Sequence, residues 1–215
     1  KLVPPSCFEY PDSNPKGFVP DVVLGLSSKG EFREIASCFI SFEETQDLEY
    51  GLSKMIETAN QFGGYFNKID FGDKGGVALV LFGAPVGREK LNQRACDFAL
   101  EIRDMAANLD VPLRAGCTMG KVFAGFVGSE QRCEYTALGM TVNLSARFMM
   151  KAQWGELFLD RRIVANVDRL YEITYMQDFQ FKGFSEEIPV YTLLSKKAHA
   201  EDVTFNGTMV GREAE

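Results

Sequence analysis

Glu134-Tyr135-Thr136-Ala137-Leu138-Gly139-Met140-Thr141-Val142-Asn143-Leu144-Ser145-Ala146-Arg147, preceded by Gly125-Phe126-Val127-Gly128, is the most informative stretch of this chain. It reads as a glycine-rich strand end, a turn, and then a helix over Thr141–Lys151. Asn143 and Arg147 are four residues apart, so they share one helix face. Val142, Leu144, Ala146, Phe148 and Met149 supply apolar contacts on the other sides. An amide and a cation projecting together near a helix start suit an anionic ligand. The same spacing also describes an ordinary solvated helix face, so the pattern alone leaves the chemistry open.

Working outward, the flanking segments define the fold class. Leu113–Met119 and Val122–Val127 are expected to form a strand pair around Gly120. Ahead of them a long helix is expected from about Glu89 to Leu109, with Leu91, Ala95, Phe98, Ala99, Ile102 and Ala106 at helical spacing. Tyr65–Phe71 and Val77–Phe82 flank Gly72-Asp73-Lys74-Gly75 and read as a hairpin. Asp47 opens an amphipathic helix carrying Leu48, Leu52, Met55, Ile56 and Ala59, which Gly63-Gly64 stops. Ile35–Phe42 is the first strand. After Lys151 come a strand at Glu156–Leu159, a short helix at Arg161–Val167, and strands at Tyr171–Phe181 and Pro189–Leu194. The order predicts an α+β fold: a ferredoxin-like βαββαβ core, an antiparallel sheet with helices on one face, and additional C-terminal strands. Residues 1–30 are rich in Pro, Gly and Ser and read as an arm or linker, with a short helix near Val19–Leu26. Residues 31–196 form the expected domain, and 197–215 a loose tail.

Composition narrows the function classes. The 215 residues are 46% hydrophobic and 25% charged, which suits one globular domain. The net charge of −7 disfavours nucleic acid and anionic membrane surfaces as partners. The sequence has no apolar run long enough to span a bilayer and no signal-peptide pattern. Cys7, Cys38, Cys96, Cys117 and Cys133 are odd in number and scattered, as expected of free thiols in a reducing cytoplasm. The only histidine, His199, lies in the polar tail, which argues against His-based triads and His-metal sites. The chain opens Lys1-Leu2-Val3-Pro4 without Met, as expected of a fragment of a longer protein.

Tyr135-Thr136-x-x-Gly139-x-x-Val142-Asn143-x-x-x-Arg147 resembles the signature of class III nucleotidyl cyclases, with Gly125-Phe126-Val127-Gly128 standing where that family has its Gly-x-x-Gly turn. The resemblance covers about residues 33–195. The wording of Asn67-Lys68, Asp73-Lys74-Gly75 and Val142-Asn143-Leu144 is most similar to the second catalytic half of soluble, bicarbonate-responsive adenylyl cyclases and their bacterial tandem relatives. The resemblance implies a head-to-tail pair of halves that converts ATP to cyclic AMP and pyrophosphate, with the site between them. By the same resemblance, Asn143 would orient the ribose and Arg147 would stabilise charge on the α-phosphate. Lys182, in Phe181-Lys182-Gly183, would contact phosphate, and Lys68 and Thr136 would read adenine. Bicarbonate is an implied candidate regulator.

The chain departs from the family pattern at the metal positions. Aligning on Phe42 puts Cys38 where the first metal-binding Asp stands, and counting back from Gly83 puts Gly76 at the second. Asp73 is the alternative for the second position, although its setting reads as a turn. Without both carboxylates the hard-oxygen cage that Mg²⁺ or Mn²⁺ requires is missing. The resemblance then implies a half that depends on a partner half, expected in the same polypeptide, for its two metal ions. A catalytically silent regulatory or dimerisation module with a degenerate nucleotide site is the competing reading.

Overall fold

A computed structural model describes residues 21–26, 30–44, 48–72, 75–129 and 132–198. An interior strand of its sheet, β1 (Gly30–Phe42), turns successive side chains to opposite faces. Ala36, Cys38, Ile40 and Phe42 face one core, and Ile35 faces another. A sheet whose middle strand buries both faces must be covered on both.

A short helix α1 (Asp21–Leu24) precedes β1. Then follow α2 (Leu48–Gln61), β2 (Gly64–Gly72), β3 (Gly75–Phe82), α3 (Leu91–Asn108) and β4 (Leu113–Gly128). The chain continues as β5 (Cys133–Leu138), α4 (Met140–Lys151), β6 (Leu157–Asp160), α5 (Arg161–Val167), β7 (Tyr171–Phe179) and β8 (Ile188–Lys196). The sheet runs β2-β3-β1-β4-β6-β8-β7, with β5 paired to β4. Within it, β1 is antiparallel to both β3 and β4, and β2 is antiparallel to β3. That is the strand order of the expected βαββαβ core. The parallel β4–β6 pair and the β6–β8–β7 ladder are the added C-terminal strands.

The larger core lies under α2, α3 and α5, where Met55, Ala59, Phe98, Ile102 and Ile163 pack on the sheet. Val23 of α1, Leu79, Leu81, Val122, Tyr135 and Val142 form a second core on the opposite face. A third gathers Phe148 of α4, Phe158, Phe181 and Val190. Each fully buried aliphatic or aromatic side chain is worth about 1.5–3 kcal/mol of transfer free energy.

Four expectations need correction. The predicted strand pair around Gly120 is one 16-residue strand, because β4 pairs with β1 continuously from Leu113–Phe42 to Gly125–Gly30. Gly120 is not a turn; a Cβ there would stand 2.5 Å from Thr141 Oγ1, so its missing side chain admits the start of α4. The stretch before α4 is a strand, β5, that folds back on β4 as a hairpin. The helices do not share one face, since α4 covers the face opposite α2 and α3. Finally, β7 ends at Phe179, which leaves Lys182 in a turn instead of at a strand end. The arm and tail expected at 1–30 and 197–215 fall largely outside the described residues. No described helix is long and apolar enough to cross a membrane.

Candidate active site

Helix α4 is bolted to the sheet. Val142, Leu144, Ser145, Phe148 and Met149 are its buried positions, spaced by the helical period. Below it, Ser37 of β1 lies 3.2 Å from Thr118 Oγ1 and 3.1 Å from Ser145 Oγ. Thr118 donates to the Thr141 carbonyl at 2.8 Å, and Ser145 to the Val142 carbonyl at 2.8 Å. The cluster is buried and bonded at each hydroxyl, which is the condition for polar groups in a core to specify one arrangement. This seating leaves Asn143 exposed and Arg147 half-buried on the outer side of the helix.

Opposite them stands the turn between β7 and β8. Phe181 is buried against Phe148, with ring centroids 5.3 Å apart. The Phe184 amide donates to the Phe181 carbonyl at 3.1 Å, and Gly183 between them has φ +92°, a region that suits glycine. The turn is thus fixed at its root while Lys182 stays exposed. Asn143, Arg147 and Lys182, with Met140, Ala146 and Phe184, line one cleft of about 430 Å³. Two cations and a side-chain amide converging on an open cleft form a receptor for a polyanion.

Lys68 and Thr136 lie elsewhere on the molecule. Lys68 is exposed and lines a separate cleft of about 670 Å³ with Tyr65, Asn67, Pro85 and Arg88, among others. A register shift in β2 between Phe66 and Lys68 turns Lys68 to the side of its partner Leu79, which belongs to the Tyr135 and Val142 core. Thr136 is buried on β5 and donates its hydroxyl proton to Asn67 Oδ1 at 2.9 Å. Asn67 Nδ2 donates to the Tyr135 carbonyl at 2.6 Å. One amide therefore ties β5 to the strand that carries Lys68. The sequence pattern does not mark Asn67 as a site residue. The available signal was an Asn inside a strand, a residue type depleted there unless it bonds locally or sits at a bulge.

Cys38 and Gly76, the positions expected from the sequence to match metal-binding aspartates, do not fit a hard divalent cation. Cys38 is wholly buried beneath the helices; burial, with the Cys117 and Cys96 thiols alongside, pushes its thiol well above the ordinary range. Gly76 has no side chain, and a Cβ there would run into the Phe42 ring. Among the described residues no three His, Cys, Asp or Glu side chains cluster as a metal site. Asp73 lies outside the described residues.

Comparison with known proteins gives the family and the fold. A sequence model described as the adenylate and guanylate cyclase catalytic domain matches residues 52–195. Adenylate cyclase type 10 of Homo sapiens is 33% identical over 134 residues, and that of Rattus norvegicus 37% identical over 134 residues. Each match takes in 56% of this chain, and the chain spans 8% of the length of these curated relatives. The crystal structure of the adenylyl cyclase CyaB from P. aeruginosa superposes with a TM-score of 0.73 at 19% identity, over 80% of this chain and 98% of that one, which shows a shared fold.

Proposed function

The chain belongs to the adenylate and guanylate cyclase catalytic domain family, and from that premise we propose that it is one half of an adenylyl cyclase catalytic pair, making cyclic AMP and pyrophosphate from ATP with a partner half. Lys68 and Thr136 read the adenine, Asn143 orients the ribose, and Lys182 holds the triphosphate. Arg147 takes up the charge that develops on the α-phosphate. The ribose 3′-oxygen bonds to the α-phosphorus and gives its proton to solvent water. The bond from that phosphorus to the bridging oxygen breaks, and pyrophosphate leaves with the electron pair. Little covalent chemistry falls to the protein, so positioning and charge stabilisation carry the rate.

The observation that supports this reading is the single cleft shared by Asn143, Arg147 and Lys182. Cys38 and Gly76 supply no carboxylate at the positions expected for the metals, so Mg²⁺ or Mn²⁺ would be held mainly by the partner. The same two residues favour the second reading, a silent regulatory or dimerisation half. Reconstitution separates the two. This chain assayed alone, and mixed with a cyclase half that carries both metal-binding aspartates, should be silent alone and active when mixed. Arg147→Ala in the mixture should cost about 2–4 kcal/mol in the barrier, read as slowed cyclic AMP formation. Wild-type activity from that variant would remove the role given to Arg147. Silence of every mixture, with binding of the halves demonstrated, would leave the regulatory reading.

A further inference from the structure

We propose that Asn67 sets the base preference of this half by fixing the direction of the Thr136 hydroxyl proton. The inference rests on the reading of Lys68 and Thr136 as the base contacts.

The hydrogen-bond polarity follows from a backbone group. The Tyr135 carbonyl can only accept, so the atom of Asn67 that meets it at 2.6 Å must be the NH₂ group. The amide oxygen of Asn67 is thereby turned to Thr136, 2.9 Å away. An amide oxygen can only accept, so the Thr136 proton is committed to it. Thr136 Oγ1 is left with acceptor lone pairs alone for any further partner. Lys68, the next residue along β2, is an ammonium with donors and no acceptor. In the proposed function both face one base, to which they offer one acceptor and one donor. Adenine meets them with its N6 amino donor and N1 acceptor. Guanine presents O6, an acceptor, and N1–H, a donor, and mismatches both.

Thr136 is 4% exposed, so a mismatched partner there would be left unpaired in a dry setting, where discrimination by hydrogen bonds is strongest. A threonine hydroxyl free to rotate would donate to O6 as readily as it accepts from N6. The amide at position 67 removes that freedom. The register shift in β2 at this residue is what allows its side chain to reach β5 while Lys68 stays beside it.

The test is the ratio of ATP to GTP use by the reconstituted pair, read both as cyclisation rates and as affinities for ribose-labelled fluorescent ATP and GTP. A ratio is unaffected by the fraction of molecules folded, so a destabilised variant still reports. Asn67→Ala should lower the ATP-to-GTP ratio by about 10- to 100-fold. Asn67→Asp keeps an acceptor for the Thr136 proton but loses the donor to the Tyr135 carbonyl, so its ratio should fall between those of the wild type and Asn67→Ala. An unchanged ratio in Asn67→Ala would overturn the proposal while leaving the cyclase reading intact. A wild-type pair with no preference for ATP would overturn both. If the pair binds nucleotide but turns none over, the affinity ratio still decides the role of Asn67, and only the cyclase reading falls.

Discussion

Gly116 on β4 lies against the backbone of Ser145 on α4, with no room between them for a methyl group. A Cβ at Gly116 would collide with the Ser145 carbonyl oxygen and the Met149 amide nitrogen. Both are main-chain atoms of the helix that carries Asn143 and Arg147, so the helix as a whole would have to lift. Gly116→Ala should destabilise the fold by about 1–3 kcal/mol, the range typical of overpacking. It should also lower the activity of the reconstituted pair by shifting both side chains away from Lys182. Gly51 in α2 is the control, since a Cβ there meets nothing within 4 Å. Gly51→Ala should raise stability by about 0.5–1 kcal/mol through helix propensity. Urea unfolding midpoints check both; equal shifts in one direction would contradict the close contact under α4.

The core topology was legible because it is written in local periodicity. Leu91, Ala95, Phe98, Ala99, Ile102 and Ala106 mark α3 by their spacing, and six of the eight strands coincide with single expected strands. Long-range pairing was not legible. Gly120 looks like a turn residue in isolation, and only the unbroken pairing of β4 with β1 shows that it sits within a strand. The burial of α4 on the opposite face depends on Gly116 and Gly120 being bare, which helical periodicity does not register. At the site, the i,i+4 spacing of Asn143 and Arg147 was plain, and the turn at Lys182 brings the third group into their cleft. Asn67 was overlooked because its partners, Tyr135 and Thr136, are 68 and 69 residues away.

Asp160 gives a pH-dependent signature. It caps α5, with Oδ1 accepting from the Ile163 amide at 3.0 Å, while Oδ2 accepts from the Met119 amide of β4 at 3.2 Å. Burial outweighs these bonds and pushes its carboxyl up to about 6. In the unfolded chain the group titrates near the ordinary value of about 3.9. Between about pH 4 and pH 6 the unfolded state therefore holds fewer protons than the folded state, and stability falls as pH rises through that window. Above about pH 6 both states are ionised and the contribution is flat, having fallen by about 3 kcal/mol in total. Asp160→Asn lacks this titration. Urea unfolding of both proteins from pH 4.5 to 7.5 should show the wild type losing stability relative to the variant as pH rises. A pH-independent difference would contradict the burial of this carboxylate.

A metal site should not be recoverable by placing aspartates at positions 38 and 76, where the sequence alignment expects them. Cys38 is fully buried among Ile40, Cys96 and Cys117, on the face covered by α2 and α3. A carboxylate there would lose its hydration with no cation to pair with, and unpaired buried charges cost several kcal/mol or stay protonated. At position 76 the first atom of any side chain displaces the Phe42 ring, itself 4% exposed in the same core. Cys38→Asp is expected to destabilise by about 3–5 kcal/mol, and Gly76→Asp by about 1–3 kcal/mol from overpacking. The double variant should show no Mn²⁺-dependent rise in melting temperature and no cyclic AMP formation on its own. Mn²⁺-dependent stabilisation together with activity of the isolated double variant would show that these positions can open to the site. It would also show that this half needs nothing from a partner but two carboxylates.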